Sequence, residues 1–149
     1  TYAMKLMNTI FGGTPFSKLF LNVREKLSLC YYCAAGYNQL KGTVFVDCGI
    51  EEENIIKTEN EILNQLEEIK KGNFSEEDVN NSILSIINSL KGVGDTPLSY
   101  INWYYGCFIN DEVISPAESI EKYKAVTREQ IIAAAESLEL DTVYVMKGE

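Results

Sequence analysis

Apolar residues recur at helical spacing from the start of the chain, where Tyr2, Leu6, Ile10 and Phe11 alternate with Ala3, Met4 and Met7. No capping residue precedes them, so the pattern opens as if in the middle of a helix. Gly12-Gly13-Thr14-Pro15 cannot continue it. Behind this turn Ser17 is placed as an N-cap, and Leu19, Phe20, Val23 and Leu27 predict a short amphipathic helix with its apolar face centred near Val23 and Leu27. Leu29 to Ala35 is aromatic, small and too short for a helix, which predicts a buried strand. Residues 37–42 read as a turn, and Thr43 to Ile50 is the β-branched second strand of a hairpin.

Helical periods then dominate. Glu51 to Asn54 opens a helix whose Ile55, Ile56, Ile62, Leu63, Leu66 and Ile69 form one stripe, closed by Lys70, Lys71 and Gly72, with acids leading and lysines trailing as the helix dipole prefers. Ser75 to Asp78 is a capping box for a second helix with Val79, Ile83, Ile86, Ile87 and Leu90 inside and Gly92 as its stop. Thr96-Pro97 starts a third, and its aromatic stripe, with Tyr100, Trp103, Tyr104, Tyr105 and Phe108, is expected to be core. Ser115 and Thr127 each open a further capping box, and residues 142–146 alternate as a last strand. A hairpin separated by several helices from its third strand predicts the α+β class: a mixed or antiparallel sheet with helices packed on one side.

Composition narrows the classes. At 149 residues and 46% apolar, the chain suits one domain over residues 1–149. A net charge of −9 argues against nucleic acid and anionic membrane as partners, because phosphates would be repelled. No apolar run approaches the roughly 18 residues of a membrane span, and no leader pattern is present, so a soluble, cytoplasmic protein is expected. Four cysteines lie in apolar surroundings and are expected as reduced core thiols; Cys30 and Cys33, three apart on a strand, are expected on opposite faces. The chain has no histidine, which removes Ser/His/Asp and Cys/His sets and leaves no metal site in view. Acidic clusters at Glu51, Glu67 and Glu76 read as solvated helix starts and faces.

Two polar side chains are oddly placed. Arg24 lies at the border of the apolar helix face, and Tyr31, seven residues on, shares a strand face with Leu29 and Cys33. Both could face one cleft.

The run Gly-Gly-x-x-x-Ser-x-Leu-Phe-x-x-Val-Arg-Glu-Lys-x-x-Leu-x-Tyr, from Gly12 to Tyr31, resembles the signature in the non-metal half of the insulinase/pitrilysin-type zinc peptidases, which include the mitochondrial processing peptidase. The likeness is greatest to bacterial insulinase-like proteins that have lost their own zinc motif. The resemblance implies that Arg24 and Tyr31 complete a catalytic cleft whose zinc is carried by a different domain or subunit, with a peptide as substrate. It assigns Tyr31 to oxyanion stabilisation and Arg24 to substrate binding, with no metal and no cofactor in this chain. It also implies strands ahead of the first helix, so the chain is expected to be a piece lacking its leading strands, with an unpaired sheet edge that invites self-association. The alternative is a catalytically inactive scaffold or assembly subunit of the same fold. A third class, an acidic adaptor working through the aromatic helix, would show Trp103 exposed.

Overall fold

The computed structural model describes residues 2–148, so Thr1, where the uncapped helical pattern begins, and Glu149 lie outside the described residues. The chain is organised around its first helix, α1 (Tyr2–Gly12). Leu6, Met7, Ile10 and Phe11 on α1 are almost entirely buried, each side chain stabilising the fold by roughly 1.5–3 kcal/mol relative to exposure. They meet Leu19 and Val23 from the next helical segment, Cys33 from the hairpin, and Ile69, Phe74, Ile131 and Ala135 from the later helices. α1 leaves the core at Gly12 under tight constraint. A Cβ there would sit 2.7 Å from the backbone nitrogen of Ala35 and 2.9 Å from Leu19 Cδ1. The first glycine of the Gly-Gly pair therefore serves close packing against a strand as much as a turn.

The segment after the turn is helical but wound more widely than expected. Leu19–Lys26 is a π-helix, preceded by Lys18 already in helical conformation with no side-chain cap. Ser17 is not the cap: it is buried, and its carbonyl accepts from Leu21 N–H at 2.9 Å. The wider winding buries Leu19 and Val23 but turns Leu27 out to solvent, so the 100° spacing that centred the apolar face on Leu27 does not apply.

β1 (Cys30–Asn38) and β2 (Thr43–Ile50) form a two-stranded antiparallel sheet. Cys33 pairs with Cys48, Ala35 with Val46 and Tyr37 with Val44. The inner-face residues Cys33, Ala35, Val44, Val46 and Cys48 pack into the core. On the outer face Phe45 lies over Gly36 and Tyr32 over Gly49, each glycine leaving room for the facing ring. The register slips between Cys30 and Tyr32, a β-bulge with Tyr31 as the extra residue.

α2 (Ile55–Lys70), preceded by a 3₁₀ turn at Glu52–Asn54, and α3 (Glu76–Lys91) carry the expected inward stripes, except that Ile56 is exposed. The capping boxes of α3, of α5 (Pro116–Lys124) and of α6 (Arg128–Glu136) are all formed. Arg128 ties α6 to the α2–α3 turn: Nη2 donates to the carbonyls of Gly72 and Phe74, 2.5 Å each, and the guanidinium stacks 4.2 Å from the Phe74 ring. The architecture is α+β, helices packed against a small antiparallel sheet.

Two expectations fail. α4 (Pro97–Ile109) has no buried residue; Tyr105 and Phe108 are 65% and 71% exposed, and Tyr100 stacks on Tyr104 in the open. The helix is apolar over most of its circumference, and the described elements partly cover only the side carrying Trp103, Gly106 and Cys107. Trp103 is half-buried, its Nε1 donating to the Ile114 carbonyl at 2.9 Å, so the exposed tryptophan required by the adaptor reading is not found. The last strand is also absent: residues 139–148 pair with no described strand, because a strand exists only through a hydrogen-bonded neighbour. Lys147 Nζ, 2.5 Å from Glu52, ties this segment beside the end of β2.

Candidate functional site

Arg24 and Tyr31 are brought together by the π-helix, a sharp reversal and the bulge. The helix ends at Leu27, Ser28 takes a left-handed conformation with φ 50°, and Leu29 N–H returns to the Val23 carbonyl at 3.1 Å. This folds the start of β1 back past the helix end. Arg24 Nε then donates to the backbone carbonyl of Tyr31 at 2.8 Å. Its guanidinium lies 4.5 Å from the Phe20 ring, and Nη1 is 3.5 Å from Glu25. The contact thus runs from the Arg24 side chain to the Tyr31 backbone, which leaves the phenol free to point elsewhere.

Tyr31 does not share a face with Cys33, as strict alternation predicts. As the extra residue of the bulge it drops out of the two-residue period and is 68% exposed, while Cys33 is buried. Its hydroxyl donates to a carboxylate oxygen of Glu51. That hydrogen bond, and then the Glu51 charge, raise the phenol's pKa, so at neutral pH the group is a protonated donor. Tyr32 is exposed as well, with its hydroxyl 3.2 Å from Asp47. The two tyrosines therefore resemble each other more than a face-to-face alternation suggests.

Glu51 is the site residue that pattern reading passes over as part of a helix start. The hairpin register carries the signal: Cys30 pairs with Ile50 at the open end of the sheet, so Tyr31 and Glu51 flank that pair on its two sides, near enough for the tyrosine side chain to reach the carboxylate. Among the described residues no group of three or more His, Cys, Asp or Glu side chains is disposed to hold a metal ion. With no histidine in the chain, the residues present do not fit a zinc site. A cleft of about 200 Å³ between α1 and α4, lined among others by Lys5, Trp103, Asn110 and Glu112, includes none of Arg24, Tyr31 or Glu51. Among the described residues no helix is long and apolar enough to cross a membrane.

Residues 1–85 match the family model described as the Peptidase M16 inactive domain. The chain belongs to this family. The matched span takes in the whole π-helix, the bulge and Glu51, and so the entire candidate site of this M16 domain. It is 36% identical over 146 residues to the probable inactive metalloprotease YmfF of Bacillus subtilis (strain 168), covering 98% of the present chain and 34% of that protein. A crystal structure of a conserved protein from Enterococcus faecalis V583 superposes with a TM-score of 0.85 at 29% identity, over 91% of this chain and 32% of that one. A protease from Helicobacter pylori superposes with a TM-score of 0.78 at 14% identity, over 91% and 33%, a likeness of fold alone. The M16 domain described here thus spans about a third of the length of these relatives.

Proposed function

We propose that this M16 inactive domain, a single unit over residues 1–149, forms one wall of a peptide-binding cleft shared with a zinc-bearing M16 domain or subunit. The observation that carries this reading is the junction of Arg24 with the bulged Tyr31 on an exposed rim, within the span that matches the family. Tyr31 is a protonated hydroxyl on a strand end whose backbone Arg24 holds, suited to donate to a carbonyl oxygen as negative charge develops there. Arg24 both holds the Tyr31 backbone and presents a guanidinium at the rim, suited to a substrate backbone carbonyl beyond the scissile bond. The zinc and the attacking water would come from the partner, because this chain has no ligand set for a metal. Four free cysteines fit a reducing, cytoplasmic setting.

A second reading, an inactive scaffold of the same fold, is favoured by one observation: the Tyr31 hydroxyl is already donated to Glu51. Steady-state proteolysis by the assembled protein with its zinc-bearing partner separates the two. Under the catalytic reading Tyr31→Phe lowers kcat by about 10²–10³ with little change in KM, the loss typical of one oxyanion donor. Arg24→Ala acts at least as strongly on KM, since a positioning contact exists in the ground state. Tyr32→Phe, at a neighbouring exposed tyrosine whose hydroxyl also bonds a carboxylate, leaves kcat nearly intact. If the two tyrosine variants behave alike, the catalytic reading is wrong and the scaffold stands.

A further inference from the structure

The bulge at Tyr31 has a second effect, on sulfur. Residues three apart on a regular strand face opposite ways, but the inserted residue brings Cys30 and Cys33 into phase, and both pack with Cys48 against the same core cluster. Cys33 and Cys48 are direct partners across the antiparallel ladder. Opposed residues in such a ladder have Cα atoms roughly 4.5–5.5 Å apart, inside the window of about 4.4–6.8 Å that a disulfide spans without backbone movement. All three sulfurs are free thiols. Access differs among them: Cys33 is 4% exposed, whereas Cys48 and Cys30 are half-buried.

The two facing thiols also differ in acidity. A hydrogen bond from Cys33 is the main cause holding the Cys48 thiol below its ordinary pKa, opposed by burial and by Asp47. The same interaction, with burial behind it, pushes Cys33 up. The less buried cysteine is thus the more acidic, and the shielded one holds its proton.

We propose that Cys48 and Cys33 are a redox modification site, converted by a hydroperoxide into a disulfide across the hairpin, with Cys48 attacking first and Cys33 resolving. The Cys48 thiolate attacks one peroxide oxygen, the O–O bond breaks, and the departing hydroxide takes a proton to become water, leaving Cys48 as a sulfenic acid. Cys33 then gives up its proton and attacks the Cys48 sulfur; the S–S bond forms, the S–O bond breaks, and the hydroxyl leaves as a second water. The balance is two thiols and one hydrogen peroxide giving one disulfide and two waters, the thiols oxidised by two electrons and the peroxide reduced. The crosslink ties β1 to β2 two residues beyond Tyr31 and so fixes the strand end that presents it. This proposal is independent of whether the rim takes part in proteolysis.

The test treats the 149-residue chain with one equivalent of hydrogen peroxide near neutral pH, followed by thiol titration and non-reducing peptide mapping by mass spectrometry. The expected result is a fall from four free thiols to two, with Cys33 and Cys48 in one linked peptide pair and Cys107 still free. Cys48→Ser should abolish the link, while Cys107→Ser should leave it in place. A wild-type map in which Cys33 stays unlinked, or is joined to any cysteine other than Cys48 of the same chain, overturns the proposal without recourse to a variant. So does loss of two thiols from Cys48→Ser at the wild-type rate.

Discussion

Two glycine-to-alanine changes in one chain should have opposite signs, and the reason lies in what a methyl group would meet. At Gly12 the added Cβ lands 2.7 Å from both the backbone nitrogen and the Cβ of Ala35, and 2.9 Å from Leu19 Cδ1. Two of these three neighbours cannot rotate away, because they belong to strand β1 or are fixed to its backbone. Relief requires α1 and the hairpin to separate, and α1 supplies four of the most buried side chains in the core. Overpacking of this kind costs about 1–3 kcal/mol, well above the fraction of a kcal/mol that alanine gains at a helix end. At Gly106, inside α4, the added Cβ has no neighbour within 4 Å. There helix propensity acts alone and Gly106→Ala should stabilise by about 0.5–1 kcal/mol. In urea, with m near 2 kcal/mol/M, Gly12→Ala should lower the unfolding midpoint by roughly 0.5–1.5 M and Gly106→Ala should raise it by roughly 0.3–0.5 M. A Gly12→Ala protein with an unchanged midpoint would show that α1 does not press on the strand as described, and the packing argument would fail.

Buried Tyr123, packed edge-on against Tyr2 with ring centroids 4.9 Å apart, has its pKa raised, chiefly by burial. The folded state then holds a proton that the unfolded state releases above about pH 10, so this stabilisation is complete below that pH and is lost as pH climbs beyond it. Melting temperatures measured from about pH 9 to 11.5 should fall less steeply in Tyr123→Phe than in wild type, and equal slopes would refute this. The exposed edges of the two-stranded sheet and the uncovered α4 should make the isolated chain associate, giving a weight-average mass above 16.8 kDa that grows over a light-scattering concentration series. A constant monomer mass throughout would refute it.

Local chemistry was readable from the chain, and pairings that depend on remote elements were not. The capping boxes at Ser75, Ser115 and Thr127 are three- or four-residue signals and formed where expected. Arg24 and Tyr31 were legible as neighbours because their spacing of seven crosses a single reversal, although the contact uses the Tyr31 carbonyl rather than its ring. The partner Glu51 is twenty residues from Tyr31, and only the hairpin register brings it near. Every misplaced side chain in the site traces to an assumed period: 100° per residue failed in a π-helix, and two residues failed at a bulge. The errors at α4 and at residues 139–148 have another origin. Apolar character says that a surface requires cover, and says nothing of where in the chain the cover resides.

The Arg24 clamp implies an asymmetry in how changes at the two positions combine. The guanidinium grips the carbonyl at position 31, a group every amino acid carries, so replacing the Tyr31 side chain leaves the loop closed and Arg24 in place. Replacing Arg24 opens the loop and lets residue 31 drift, whatever its side chain. Under the proposed catalytic reading the two changes therefore combine unequally: the phenol is positioned only while the arginine is present, but the arginine keeps its backbone contact after the phenol is lost. Loss of the tyrosine hydroxyl forfeits one exposed hydrogen bond to Glu51 and leaves the reversal intact, whereas loss of Arg24 removes the contact that closes it.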